Sequence, residues 1–73
     1  MDENKVEEMV AEFIERDEQN ELFDLYSKET GKEPVPEDGG HTDDFERWFV
    51  EKVRDAVAAG CDTVESAVAF IRR

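Results

Sequence analysis

The sequence contains one cysteine and no long apolar run, and each shortage excludes a class of protein. With Cys61 alone, no disulfide can form within the chain, which fits a reducing compartment. No segment approaches the ~20 apolar residues that a membrane span needs, and no basic-then-apolar leader opens the sequence. We therefore expect a soluble, cytoplasmic protein that does not bind membranes.

Residues that could hold a metal or perform catalysis are also scarce. A metal site would need His41, the single histidine, to meet Cys61 and carboxylates such as Asp43 or Asp44, and no cysteine pair has ligand spacing. One histidine and one cysteine give no indication of an activated thiol, and EDGGH lacks the spacing and the basic residue of a phosphate-binding loop. We expect no enzymatic activity, no metal and no cofactor.

Positive charge is the third shortage: 9 Lys and Arg stand against 21 Asp and Glu, a net charge of −12. Such a surface repels nucleic acid and anionic membranes and attracts basic partners, so direct nucleic-acid binding is not expected. Hydrophobic residues still make up 38% of the 73 residues and fall at regular spacing, which predicts a folded chain. Because so small a domain buries only about 60% of its unfolded surface, a homodimer would add stability.

The apolar residues recur at helical spacing and nowhere alternate as in a strand. The series Val6, Met9, Val10, Phe13 and Ile14, for example, defines one face of a helix. GKEPVPEDGGH is a linker, because its prolines lack amide donors and its paired glycines free the backbone. We predict one all-α domain over residues 1–73, a small bundle of three to four short helices over about 3–16, 18–30, 43–59 and 63–72, with the linker at 31–41.

Polar residues at the predicted helix starts suit N-capping. Asp17 or Asn20 can cap the second helix, and Thr42 precedes the third. Asp62 or Thr63 starts the fourth helix, and Asp62 and Glu65 have the spacing of a capping box.

The negative charge is concentrated in the first part of the chain. Residues 1–46 hold 17 Asp and Glu against 4 Lys and Arg, whereas residues 47–73 hold 4 against 5. A halophilic surface should be acidic throughout and favour Asp, but here Glu outnumbers Asp by 13 to 8. A local role explains this distribution better than general halophilic adaptation.

The densest acid lies in VEEMVAEFIERDEQNE, residues 6–21, where seven carboxylates accompany only Arg16. Same-sign neighbours destabilise a helix by about 0.2–0.5 kcal/mol per pair, and lysines would have stabilised it by as much. Successive carboxylates of this face would lie roughly 5–6 Å apart. This spacing coarsely resembles that of phosphates along one nucleic-acid strand, which presents one charge per ~3.4 Å of helix axis. The face is either a solvated, solubilising one or a mimic of nucleic acid. Its ridge comprises Glu8, Glu12, Glu15 and either Glu18 or Gln19.

Our first hypothesis is a non-enzymatic inhibitor that binds a basic protein surface. It would mimic nucleic acid and block the site of a defence or DNA/RNA-processing protein, as phage anti-CRISPR and anti-restriction proteins do, in the host cytoplasm if it is phage-encoded. Binding would be steered by charge and would weaken with salt. The predicted partner-binding residues are Glu8, Glu12, Glu15, Glu18, Glu21, Asp24, Glu37, Asp38, Asp43 and Asp44.

The alternative is an apolar contact, in a helical protein–protein interaction module or a dimeric regulatory subunit. Large aromatic residues outside the core faces are typical interface anchors. Trp48 has a second interpretation as a residue at the edge of the core, since Phe49 beside it points inward. The candidates for an apolar interface are Tyr26, Trp48 and Phe70.

Two short segments resemble known families. SKETGKEPV, residues 27–35, resembles the end of the first helix in phage uracil-DNA glycosylase inhibitors, small acidic proteins that mimic DNA. Those inhibitors contain a sheet, which is not predicted here, and no residue roles are transferred. CDTVESAVAFIRR, residues 61–73, resembles the last helix of ubiquitin-associated domains, which would imply ubiquitin binding, although the preceding helix lacks that family's Met-Gly-Phe loop.

Overall fold

The computed structural model describes residues 3–73, and this part of the chain contains no strand, which confirms the predicted all-α bundle. Residues 1 and 2 of the predicted domain lie outside the described residues. None of the helices in residues 3–73 is both long and apolar enough to cross a membrane. The helices are α1 (Glu3–Glu15), a 3-10 helix (Glu18–Leu22), α2 (Phe23–Thr30), α3 (Asp43–Ala58) and α4 (Val64–Ile71).

The core is built around α3, which packs against α1 and α4. Phe45 is fully buried and meets Tyr26 of α2 edge-on, with ring centroids 5.3 Å apart. Phe49, one turn on, contacts Phe13 of α1 edge-on at 5.0 Å. Offset and edge-to-face aromatic pairs contribute about 0.5–1.5 kcal/mol beyond the burial of their area. Two aromatic residues of α3 therefore hold α1 and α2 in place.

The connection between α1 and α2 differs from its prediction. Asp17 has a left-handed backbone (φ 56°), and its side chain makes no capping hydrogen bond to the 3-10 helix that follows. The residue before α2 is Leu22, which is fully buried and cannot cap a helix. The prediction of a cap at Asp17 or Asn20 was therefore wrong: the chain turns sharply so that Leu22 reaches the core, and packing sets the start of α2.

The later helix starts gave one correct prediction and one error. The Thr42 side chain accepts a hydrogen bond from the Phe45 amide at 3.1 Å, as predicted. At α4 the capping box is formed by Thr63 and Ser66, whose hydroxyl accepts from the Thr63 amide at 3.2 Å. The box predicted from Asp62 and Glu65 was one residue out of register, whereas Thr63, the alternative predicted start of the helix, is its N-cap. Glu65 is consequently available for a contact outside α4.

The buried stripe of α1 is narrower than its sequence pattern indicated. Val6, Met9 and Phe13 are buried, Val10 is half-buried, and Ile14 is 39% exposed. One hydrophobic position of the predicted core face therefore lies at the surface. This residue, Ile14, lines a groove with Val50 of α3.

Candidate protein-binding surface

The acidic ridge of α1 is exposed, and Glu18 extends it. Glu8, Glu12 and Glu15 are all exposed, and Glu18 of the 3-10 helix is half-buried. Gln19, the other candidate for the last ridge position, is only 8% exposed, and its Oε1 has no hydrogen-bond partner within residues 3–73. The 3-10 geometry turns Gln19 inward and leaves Glu18 to continue the ridge.

Arg16 gathers carboxylates from three separate elements. Its guanidinium lies 3.9 Å from Glu12 of α1 and 3.6 Å from Glu18 of the 3-10 helix. It also donates a hydrogen bond to Glu65 of α4. That hydrogen bond, reinforced by the charge, lowers the pKa of Glu65 and raises the pKa of Arg16. The only arginine among the ridge acids is thus surrounded by negative charge.

A second contact places the carboxylate of Asp62, just before α4, beside the ridge. Asp62 lines a small cleft of about 60 Å³ with Lys5, Glu8, Met9 and Glu12 of α1. The sequence showed residues 47–73 as nearly neutral, yet two of their four acids lie beside α1. We name the combined surface the acidic face. It comprises Glu8, Glu12, Glu15, Glu18, Asp62 and Glu65, together with Lys5 and Arg16.

Two predicted partner-binding residues, Glu21 and Asp24, lie beside Arg72 and not in the acidic face. Glu21 is 3.6 Å from Arg72, which also donates a hydrogen bond to the Glu21 carbonyl at 2.8 Å. Asp24 lines a cleft with Leu25, Lys28 and Arg72. Cations accompany both acids, so this region is close to charge balance and differs from the acidic face.

The predicted second patch combines two aspartates at the start of α3 with two acids of the linker. Asp43 and Asp44 occupy the first turn of α3, where negative charge suits the helix dipole. Asp44 is 3.4 Å from Lys32 and 3.9 Å from Arg47. The linker acids Glu37 and Asp38 are exposed. Among the described residues, no ion pair or hydrogen bond joins this patch to the acidic face.

The three aromatic candidates do not form one apolar surface. Tyr26 is 1% exposed and belongs to the core, which removes it as an interface anchor. Trp48 is half-buried against Tyr26, with Lys52 Nζ 5.5 Å from its ring centroid, and so covers the edge of the core. Phe70 is half-buried, and the Arg73 guanidinium lies 5.2 Å from its ring centroid.

The histidine and the cysteine are engaged in separate contacts. His41 Nε2 lies 3.6 Å from Glu46, and its ring is 5.6 Å from that of Phe45. Cys61 Sγ lies 3.6 Å from the carbonyl oxygen of Ser66. Within residues 3–73, no group of three or more His, Cys, Asp and Glu side chains could hold a metal ion.

No family model, curated protein or solved structure matches this chain. The two short resemblances noted in the sequence therefore gain no support from a longer match.

Proposed function

We propose that the acidic face binds a basic surface on another protein, and that this surface is a nucleic-acid-binding site. The observation that carries the proposal is a cluster of carboxylates from α1, the 3-10 helix and the start of α4. Glu8, Glu12 and Asp62 line one cleft with Lys5. Glu12, Glu18 and Glu65 lie around Arg16. Acid from two distant parts of the sequence is thereby brought together on one side of the domain. The partner is an arginine- and lysine-rich groove.

The cations within the acidic face offset only part of its negative charge. Arg16 is held by three carboxylates, so it is occupied in linking the face and offers little to an incoming acid. Glu8 and Glu15 are exposed and form no ion pair with any described residue. Arginine guanidinium groups pair with carboxylates through two parallel hydrogen bonds, much as they do with phosphates. A groove built for phosphates can therefore accept this face.

Stability does not account for the composition of the face. Glu8 and Glu12 are neighbours at i, i+4, and Glu12 and Glu15 at i, i+3, so each pair opposes helix formation by about 0.2–0.5 kcal/mol. A lysine in place of Glu15, which is exposed and forms no ion pair with a described residue, would relieve the repulsion without breaking a contact. Binding of a cationic partner supplies a reason for keeping glutamates there.

The mechanism is occupation of the groove, with charge steering the approach. Opposite charge raises association rates at low salt, and mobile ions screen it beyond about 8 Å at physiological ionic strength. Protein and nucleic acid would compete for the same arginines. An inhibitor of a defence or DNA/RNA-processing protein, of the anti-CRISPR or anti-restriction kind, is the function that we propose for it.

Affinity capture with matched variants tests this function. The immobilised wild type is compared with Glu8→Gln/Glu12→Gln/Glu15→Gln, which neutralises the ridge. The control is Glu33→Gln/Glu51→Gln/Asp55→Asn, which removes three exposed charges elsewhere. We expect nucleic-acid-binding proteins to be retained by the wild type and the control only, and to be released by duplex DNA.

Two results would count against the proposal. Equal retention by all three proteins would show that the ridge plays no part. Retention that duplex DNA cannot reverse would show that the partner uses a different site from the one that holds nucleic acid.

A further inference from the structure

An apolar groove lies between α1 and α3, on the flank of α1 away from α4. It has a volume of about 380 Å³. Val10, Ala11 and Ile14 of α1 line it, and Val50 of α3 faces them across it. None of these residues was predicted to form a binding surface.

The groove exposes apolar area that core packing leaves uncovered. Ile14 is 39% exposed, Ala11 is exposed, and Val10 and Val50 are half-buried. Isolated exposed hydrophobic residues are ordinary on a protein surface, whereas these four lie together along one groove. The other large exposed hydrophobic residue within residues 3–73 is Val35, alone in the linker.

The dimensions of the groove suit an α-helix. From Glu3 to Ile14 it follows roughly 16 Å of α1, which is about three helical turns. Two packed helices leave between them a furrow into which a third can place residues at i, i+3 or i+4 and i+7, as in helix-in-groove recognition. No strand edge exists in residues 3–73 to which an extended segment could add.

Charge decides what kind of helix fits. Glu3 and Glu7 form the rim on α1, and Arg54, on the α3 side of the groove, is already 3.3 Å from Glu3. A second copy of this chain would bring together two molecules of net charge −12. A helix with basic residues beside its apolar stripe gains attraction where a second copy meets repulsion.

We propose that this groove binds an amphipathic helix of a partner protein, with the apolar stripe of that helix against Val10, Ile14 and Val50 and its lysines or arginines over the glutamate rim. The surface is distinct from the acidic face and does not depend on it. In the two proposals together, the acidic face on one side of α1 binds a basic groove of a partner, and the opposite flank of α1 binds a partner helix.

A synthetic peptide tests the groove directly. The probe is a 14-residue helix-forming peptide with leucines along one face and lysines on the other, in about 0.3 M salt to screen non-specific attraction. A peptide of identical composition with a scrambled order is the control. We expect the ordered peptide alone to shift the amide NMR signals of Val10, Ala11, Ile14 and Val50.

Substitutions provide the second arm of the experiment. Ile14→Ser should weaken binding of the ordered peptide about tenfold, because Ile14 supplies exposed apolar contact area. Ala11→Lys should weaken it as well, by blocking the groove and repelling the lysines. Val35→Ser is the matched control, since Val35 is 41% exposed and lies elsewhere, and it should leave affinity unchanged.

Three results would overturn the proposal. The first is equal binding of both peptides, with signal shifts on the acidic face. The second is no binding of the ordered peptide to a folded wild type. The third is a wild type that forms dimers in sedimentation through these same residues, which would make a second copy the occupant.

Discussion

Arg16, the residue that follows α1, donates a hydrogen bond to Glu65, 49 residues further along the chain. This contact ties α1 to the first turn of α4. Because Arg16 also lies near Glu12 and Glu18, one guanidinium joins acids that are far apart in sequence. The acidic face is therefore a product of the fold, although most of its residues come from one segment.

The Arg16–Glu65 contact should make stability depend on pH in a specific direction. The folded-state pKa of Glu65 is lowered from its ordinary value of 4.5, so its contribution is complete above about pH 4.5 and is lost as pH falls through the lower folded value. Glu65→Gln should therefore unfold at lower urea concentration than the wild type at pH 7, and the difference should shrink at pH 3.

Glu51→Gln is the control for this measurement. Glu51 is exposed on α3 and makes no ion pair with any described residue. The Glu51→Gln substitution removes one carboxylate without breaking an ion pair. If Glu65→Gln and Glu51→Gln shift the urea midpoint equally at pH 7, the contact between Arg16 and Glu65 contributes nothing to folding.

Reversing one charge on the ridge should stabilise the protein. Glu15→Lys replaces a repulsive i, i+3 pair with Glu12 by an attractive one and puts positive charge at the carboxyl end of α1, so we expect the free energy of unfolding to rise by about 0.5 kcal/mol. The same change should weaken binding to the basic partner. Urea denaturation and a binding assay on one preparation measure both effects. A loss of stability would contradict the view that the ridge is kept against folding stability.

The capping box of α4 can be verified by comparing adjacent residues. Thr63→Ala removes the side-chain acceptor for the Ser66 amide and should destabilise the protein by about 1 kcal/mol. Asp62→Ala should change the free energy of unfolding by less than about 0.5 kcal/mol, because Asp62 does not cap the helix. Thermal or urea denaturation distinguishes them, and the opposite ranking would restore the box predicted from Asp62 and Glu65.

Phe45 should be the most sensitive position in the core. It is fully buried and contacts the rings of Phe23, Tyr26 and Phe49 at 5.0, 5.3 and 5.8 Å. Phe45→Ala should lose about 3–5 kcal/mol, a large part of the 5–15 kcal/mol typical of a folded domain. Circular dichroism during denaturation measures this loss. An unfolding midpoint equal to that of the wild type would mean that α2 and α3 do not pack as described.

The fold was predictable because apolar spacing is a local property. Every α-helix lies within a predicted segment, and Thr42 caps α3 as its position indicated. The errors occurred where packing overrides local preference. Leu22 is drawn into the core and displaces the expected cap, and Ile14 satisfies the helical pattern but lies beyond the surface that α3 covers.

The acidic face was predictable only in part, for the same reason. Glu8, Glu12 and Glu15 follow from helical periodicity, which needs no tertiary information. That Asp62 and Glu65 join them depends on how α4 packs beside α1, and nothing in the local sequence indicates this. The groove at Ile14 was hidden because its residues have the same pattern as core residues.

The salt dependence of partner binding tests the central claim most directly. The dissociation constant of the captured partner is measured from about 0.05 to 0.5 M salt for the wild type, the ridge variant Glu8→Gln/Glu12→Gln/Glu15→Gln, and the control Glu33→Gln/Glu51→Gln/Asp55→Asn. We predict that the wild type and the control weaken steeply and in parallel, and that the ridge variant binds at least about tenfold more weakly at low salt with a shallower slope. Identical dissociation constants for all three proteins at every salt concentration would contradict the account.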